Sequence, residues 1–283
     1  MIQNKRLKPS GLPTELNNLE RCLVVGVLNV TPDSFSDGGK FFDKDIAINQ
    51  AKKLITDGAD LIDIGGESTR PGADQISIDE EIKRVIPVIN ELKKDNIFIS
   101  IDTMKHEVAK AAVEAGAIIV NDVSGGLADE KMFETVAKLD VPYVLMHWRG
   151  HSKNMDDLAK YKNVTQEVID ELSAQTKKAI DKGLKKEKIV LDPGLGFAKN
   201  PEHNWQILRD LNLFNKLEFP IYIGASRKRF LAPYSIIKDS SNLEDRDLAT
   251  SVITTYSAIN NAWAVRVHDA KSSAIAVRLV NQL

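Results

Sequence analysis

The chain has 283 residues, 43% of them hydrophobic, so it is long enough to bury one barrel-sized core or two smaller ones. Its formal net charge of −2 and isoelectric point near 6.2 give no electrostatic reason to expect nucleic acid or an anionic membrane as a partner. The lone Cys22 excludes an internal disulfide framework and predicts a cytoplasmic protein, and the lack of a long apolar segment predicts no membrane span.

Short apolar runs alternate with segments of helical periodicity along most of the chain. A polar N-terminal arm, predicted to span residues 1–20, precedes the first of these runs. Eight runs read as buried strands: 22–29, 59–64, 97–103, 117–122, 142–147, 189–192, 219–226 and 264–268. Each is followed by a predicted helix, without low complexity and without a linker that would divide the chain.

Alternating buried strands and helices predict parallel pairing through right-handed crossovers. Eight such units at this length indicate an α/β fold, a single (β/α)8 TIM barrel over residues 21–283, with long loops after strands 1, 2, 5 and 7. A doubly wound open sheet is the alternative. That fold usually shows a Gly-x-Gly-x-x-Gly turn after its first strand, and none is present. The barrel is therefore favoured.

Nearly every predicted strand ends in a polar side chain, although the strand bodies are apolar. Parallel strands place their C-terminal ends at one mouth, so these side chains should meet in space. Any one of them could simply cap the next helix, but carboxylates, amides and cations together predict a polar site. The tip residues are Asn29, Asp63 with Glu67, Asp102, Asn121 with Asp122, His147, Asp192, Ser226 to Lys228, and Arg266 with His268.

The tip residues divide into two chemical groups. A carboxylate accepts two parallel N–H bonds from an amino-pyrimidinone, while amide and ammonium groups donate to ring nitrogen and carbonyl. The group suited to such a heterocycle is Asp102, Asn121, Asp192 and Lys228. Barrels often bind phosphate near strands seven and eight, and the group suited to phosphate or diphosphate is Ser68, Thr69, Arg70, Arg266 and His268. Asn29 could supply one oxygen ligand to Mg2+.

Eight motifs, in this order, resemble those of the dihydropteroate synthase family: NVTPDSFSDGG, GADLIDIGGESTRPGA, SIDT, NDVSGG, LMHWRG, LDPGLGF, SRK and RVHD. The resemblance runs from about Val25 to the end of the chain and touches every predicted barrel unit. It implies an enzyme of folate biosynthesis that condenses 6-hydroxymethyl-7,8-dihydropterin diphosphate with 4-aminobenzoate, releasing diphosphate. It also implies Mg2+ as cofactor and a homodimer.

The same resemblance implies roles for individual residues. The pterin would be held by Asp102, Asn121, Asp192 and Lys228. The diphosphate would be bound by Thr69, Arg70, Arg266 and His268, with Asn29 on Mg2+. The 4-aminobenzoate pocket would be lined by Phe35, Pro71, Phe197 and Lys228. The catalytic residues would be Asp37, Arg70 and Lys228, of which the first two lie on loops that in this family close over the substrates.

Other functions are compatible with parts of this pattern. A methyltetrahydrofolate:corrinoid methyltransferase shares the pterin acids but should lack the diphosphate apparatus, and the SRK and RVHD motifs argue against it. A catalytically silent barrel would have lost one or more tip residues, yet all are present. A sulfonamide-insensitive variant of the same enzyme would differ only in the aminobenzoate pocket, which Arg229 borders.

Overall fold

Eight parallel strands form one sheet in the computed structural model of the chain, which describes residues 6–31, 44–68, 75–151, 155, 157–234 and 243–283. The strands are β1 Leu23–Asn29, β2 Leu61–Gly65, β3 Ile99–Asp102, β4 Ile119–Asp122, β5 Tyr143–Met146, β6 Ile189–Asp192, β7 Tyr222–Ile223 and β8 Ala264–Val267. Neighbours in the sheet follow the order β6-β5-β4-β3-β2-β1-β8-β7. A parallel bridge between Leu191 and Ile221 joins the two outer strands, so the sheet closes into a barrel. The predicted (β/α)8 fold is confirmed.

Helices connect the strands on the outside of the barrel. In chain order they are α1 Thr14–Asn17, α2 Lys44–Thr56, α3 Ile78–Lys94, α4 His106–Ala115, α5 Met132–Leu139, α6 Val164–Asp181, α7 Pro201–Arg209, α8 Leu211–Phe214, α9 Leu243–Ile259 and α10 Ala270–Val280. Side-chain caps begin several of them. Ser77 accepts from the Glu80 amide at α3, and Asn200 forms a capping box with His203 at α7.

Two apolar clusters fill the molecule, one between barrel and helices and one inside the barrel. The inner cluster comprises Leu23, Val25, Leu61, Ile119, Val144, Val190, Tyr222, Trp263 and Ala264. Side chains alternate between the two faces of a strand, so a residue two or four positions beyond a member also points into the barrel. This alternation decides which polar residues reach the mouth.

The seventh strand is shorter than predicted. Residues 219–226 were expected to form it, but only Tyr222–Ile223 pair with β8. Pro220 has no N–H to donate, and its carbonyl accepts from Leu191 on the other side. The predicted long loops after strands 1, 2, 5 and 7 lie partly outside the described residues.

The N-terminal residues cover the end of the barrel opposite the mouth. Leu12 and Leu19 pack against the inner cluster. Arg6 donates to the carbonyl oxygens of Ala258 (2.9 Å) and Ala262 (2.8 Å), which ties the start of the chain to the segment before β8. Within the described residues, the helices are too short or too polar to cross a membrane.

Candidate active site

The polar residues at the strand ends point into the barrel mouth. Asp63, Asn121, Asp192 and Arg266 each lie two positions beyond a member of the inner cluster, and Asn29 lies four beyond Val25. These side chains therefore stand above the apolar interior as its uppermost layer. The sequence prediction that scattered residues converge at one rim agrees with this arrangement.

Arg266 connects three strands across the mouth. Its Nε donates to Asp63 Oδ2 at 2.6 Å, and its Nη2 donates to Asp102 Oδ2 at 2.7 Å. The same Asp63 oxygen accepts from Asn121 Nδ2 at 2.9 Å. Asp63 is fully buried, and its other oxygen has no hydrogen-bond partner among the described residues. Asp63 thus orients both the amide and the guanidinium.

Burial and the neighbouring charges shift the pKa values of this network in opposite directions. Burial raises the pKa of Asp102 to about 7, although attraction to Arg266 acts in the other direction. Burial also disfavours the charge of Arg266, but Asp63 and Asp102 outweigh it and raise the guanidinium pKa. Arg266 is therefore a permanent cation, while Asp102 changes charge near neutral pH.

Asp192 and Lys228 form the other side of the mouth. Asp192 Oδ1 accepts from the Gly194 amide at 2.7 Å. Burial raises the pKa of Asp192 and lowers that of Lys228 to about 8, while attraction between the two groups opposes both changes. Lys228 Nζ donates to the Leu195 carbonyl and lies 4.6 Å from the centroid of the Phe197 ring. One ammonium therefore faces a carboxylate and an aromatic ring.

The loop after β6 brings Phe197 to Lys228 through a glycine turn. Gly194 has φ +68°, and a Cβ there would lie 2.3 Å from the His147 carbonyl oxygen. Only glycine fits this position without displacing β5 or the loop. Tyr161 donates to the Ala198 carbonyl at 3.0 Å and further fixes the turn.

His268 follows β8 and is held by Ser226. The Ser226 hydroxyl oxygen accepts from the His268 amide at 3.0 Å and lies 3.0 Å from its Nδ1. These contacts fix the imidazole next to the loop after β7, as its predicted role in binding phosphate requires. Phe35 and Asp37 on the first loop, and Thr69, Arg70 and Pro71 on the second, lie outside the described residues.

Other strand-end residues serve the scaffold. Asp122 accepts from Ser124, Gly126 and the Tyr143 hydroxyl, which shapes the turn after β4. Arg227 forms two 2.7 Å hydrogen bonds to Asp247 at the start of α9. Neither joins the mouth, and sequence position alone does not separate them from the residues that do.

Two features were missed by sequence reasoning. The sequence identifies Asp63 as a strand end, but not as the common partner of Arg266 and Asn121. Lys199 was not singled out, yet its amino group is buried behind the β6 loop. Its only sequence signal is its place directly after LDPGLGFA. His147, one of the predicted tip residues, lies behind this loop, with its Nδ1 2.9 Å from Lys199 Nζ and its Nε2 2.9 Å from Glu171 Oε2.

Known proteins resemble this chain in both sequence and structure. The sequence model of the family described as pterin binding enzyme matches residues 25–268. Dihydropteroate synthase of Mycobacterium leprae is 44% identical over 260 residues, covering 91% of this chain and 92% of the relative. A Clostridium difficile dihydropteroate synthase structure, solved in the presence of pteroic acid, has a TM-score of 0.85 and 41% identity over 93% of this chain and 96% of that one. The Xanthomonas albilineans enzyme with 4-aminobenzoic acid has a TM-score of 0.84 and 38% identity over 93% of both chains.

Proposed function

Since this chain belongs to the pterin-binding enzyme family and, within it, to the dihydropteroate synthases, we propose that its barrel mouth performs their condensation. It joins 6-hydroxymethyl-7,8-dihydropterin diphosphate to 4-aminobenzoate, giving 7,8-dihydropteroate and diphosphate. The observation that carries this proposal is the single layer formed at the mouth by Asp102, Asn121, Asp192, Lys228 and Arg266.

The pterin binds in the part of the mouth between Asp192 and Asn121. One oxygen of Asp192 accepts from the Gly194 amide, so the remaining lone pairs of the carboxylate can accept from the amino-pyrimidinone edge of the pterin. Asn121 and Lys228 donate to ring nitrogen and carbonyl. Asp102, already bound to Arg266 through one oxygen, offers its second oxygen to the ring.

The diphosphate lies towards β8, next to Arg266 and His268. The family resemblance assigns Thr69 and Arg70, which lie outside the described residues, to the same ligand. Asn29 fits a Mg2+ ligand, since it is a neutral oxygen donor that points into the mouth from the end of β1. The neighbouring carboxylates of Asp63 and Asp102 are engaged with Arg266. When bound there, Mg2+ would neutralise charge on the diphosphate oxygens.

The 4-aminobenzoate binds on the outer side of the pterin. Phe197 and Lys228 provide a ring face and an ammonium within 4.6 Å of each other, which suits a benzoate. The family resemblance assigns Phe35 and Pro71, which lie outside the described residues, to the same pocket.

The reaction is an SN1-like substitution at the pterin methylene. The C–O bond breaks and its electron pair leaves with the diphosphate, whose growing charge Arg70, Arg266 and His268 neutralise. Each such donor contributes about 3 kcal/mol to lowering a barrier of this kind. Asp37 stabilises the cationic methylene. The uncharged amine then attacks and releases its proton to water, so no strong general base is needed.

The experiment that tests the function is substrate-dependent release of diphosphate by the purified chain. We expect diphosphate and dihydropteroate in equal amounts, only when pterin diphosphate, 4-aminobenzoate and Mg2+ are all present. Replacing 4-aminobenzoate with benzoate, which lacks the amine, is the control. Diphosphate release that does not depend on the amine, or methyl transfer from methyltetrahydrofolate, would contradict the proposal.

Two neighbouring helices carry an apolar face that we assign to a second copy of the chain. Leu248, Val252 and Ile259 on α9, with Ile275 and Leu279 on α10, are each more than half exposed. Such a patch on packed helices away from the mouth is typical of a protein interface. We expect a homodimer by light scattering and a monomer for Val252→Glu. Ile180→Glu, at an exposed isoleucine on α6, should stay dimeric. The expected compartment is the cytoplasm.

A further inference from the structure

Lys199 is a buried lysine whose amino group lies beneath the loop that carries Phe197. Its Nζ donates to the carbonyl oxygens of Gly194 at 3.1 Å and Phe197 at 3.0 Å, and lies 2.9 Å from His147 Nδ1. Only 6% of the residue is exposed. An ammonium has three N–H donors, and this geometry provides three acceptors. The buried charge is therefore fully hydrogen-bonded.

The third acceptor is fixed by a carboxylate behind the histidine. His147 Nε2 lies 2.9 Å from Glu171 Oε2. Burial lowers the pKa of His147 to about 4, and the hydrogen bond from His147 lowers that of Glu171 to about 2. At neutral pH the imidazole is therefore uncharged and donates its Nε2 proton to a carboxylate. Its Nδ1 has no proton, so it can only accept from Lys199.

We propose that Lys199 is a positioning residue whose protonated amino group holds the turn 194–197 in the shape that binds 4-aminobenzoate. A neutral amine keeps only two N–H groups. One of them must serve His147 Nδ1, which leaves either the Gly194 or the Phe197 carbonyl without its donor. Losing the proton therefore loosens the turn. This inference rests on the proposed function, which assigns Phe197 to the aminobenzoate pocket.

The surroundings of Lys199 place its proton loss near neutral pH. Burial lowers its pKa to about 7, and the charges of Lys228 and Arg149 add to this effect. Asp192 and Glu171 act in the opposite direction, and His147 and His203 are the other titratable groups that face it. The turn should accordingly change from the form held by the protonated amino group to the loosened form within the pH range of ordinary assays.

The experiment is a pH profile of the KM for 4-aminobenzoate at saturating pterin diphosphate. This substrate keeps one charge between about pH 6 and about pH 9, so a change in KM there comes from the enzyme. For the wild type we expect a several-fold rise with a midpoint near 7, separate from any effect of Lys228, whose pKa is about 8. Lys199→Met should have a raised KM at every pH and no midpoint near 7. Lys177→Met, at an exposed lysine on α6, should keep the wild-type profile.

Glu171→Gln provides a test that does not depend on burying a new side chain. The Glu171 side chain is 41% exposed, and its negative charge raises the pKa of Lys199. Removing that charge should move the midpoint near 7 to lower pH and leave any effect of Lys228 in place. A purely structural role for Lys199 would not move a midpoint.

Failure of this inference differs from failure of the proposed function. A wild type that forms no dihydropteroate would overturn the function. An active wild type whose KM profile is unchanged in Lys199→Met would overturn the role of Lys199. If Lys199→Met does not fold, the pH profile of Glu171→Gln decides by itself. An unmoved midpoint overturns the role of Lys199, and a midpoint at lower pH supports that role.

Discussion

Arg266 and Asp102 are 164 residues apart in the sequence, and a 2.7 Å hydrogen bond from Nη2 to Oδ2 joins them across the barrel mouth. The sequence predicts Asp102 among the pterin ligands and Arg266 among the diphosphate ligands. The structure shows that the two groups share this bond, and that Asp63 supports it from below. A change in the charge of one substrate therefore alters the electrostatic environment of the residues that bind the other.

Replacing Arg266 with Met should destabilise the fold strongly. The change leaves Asp63 and Asp102 buried without their cation, which costs about 3 kcal/mol or more in the free energy of unfolding. Urea unfolding measures this loss, which should shrink at acidic pH, where the unpaired carboxylates take up protons. Arg227→Met breaks a more exposed pair with Asp247 and should cost about 1 kcal/mol or less. Equal losses in both variants would argue against a special role for the Arg266 network.

The titration of Asp102 should make the stability of the wild type depend on pH. Its pKa is about 7 in the folded chain and about 3.9 when unfolded, so the folded state binds the extra proton between these values. The stability due to this group is present below about pH 4 and is lost as the pH rises to about 7. Relative to Asp102→Asn, the wild type should lose about 2–4 kcal/mol over that window. A constant difference between the two unfolding free energies would contradict this.

Asp192→Asn should weaken pterin binding strongly. The asparagine carbonyl can still accept from Gly194, but the second acceptor becomes a donor that faces the pterin amino group. Losing charge-assisted hydrogen bonds of this kind weakens binding by about 3 kcal/mol, which is about a hundredfold. Calorimetry with 6-hydroxymethyl-7,8-dihydropterin measures it. A melting curve of the variant shows whether it is folded, because Lys228 loses the attraction of this carboxylate. Asp170→Asn, at an exposed aspartate on α6, should bind normally.

Gly194→Ala should raise the KM for 4-aminobenzoate. The new Cβ would lie 2.3 Å from the His147 carbonyl, so the turn carrying Phe197 must shift, in addition to a left-handed strain of about 1–2 kcal/mol. Gly183→Ala is the matched control. That residue also has a positive φ, but a Cβ there meets only Ala137 at 3.5 Å, so the variant should lose stability and keep its KM. Identical KM changes in both would show that strain alone is responsible.

The fold was predictable because its signals are local and repeated. Runs such as 189–191 are apolar throughout, as expected of strands covered on both faces, and the following turns contain Gly or Pro. Alternation along each strand then places Asp192 and Asn121 on the inner face with no further information. The shortened β7 is not predicted, because the apolar run 219–226 is longer than the part of it, Tyr222–Ile223, that pairs with β8.

The pairing of charges in the site could not be predicted. Whether Arg266 reaches Asp63, Asp102 or a substrate depends on the stagger of β8 against β1 and β2. No single segment of the sequence determines that stagger. Lys199 shows the same limit. A lysine after a glycine-rich turn is normally solvated, and its burial here follows from its contact with His147, which comes directly after a different strand, β5.

The pairing of β1 with both β2 and β8 has a consequence for synthesis of the chain. Leu23 leaves the ribosome long before its partner Ala264 is made, because Ala264 lies 241 residues later in the chain. At normal translation speed the interval is on the order of ten to fifty seconds. Throughout it, one edge of the first strand has no neighbour and is open to strands of other nascent chains. A transcript truncated before residue 264 would leave that edge open permanently, so its product should aggregate or be degraded.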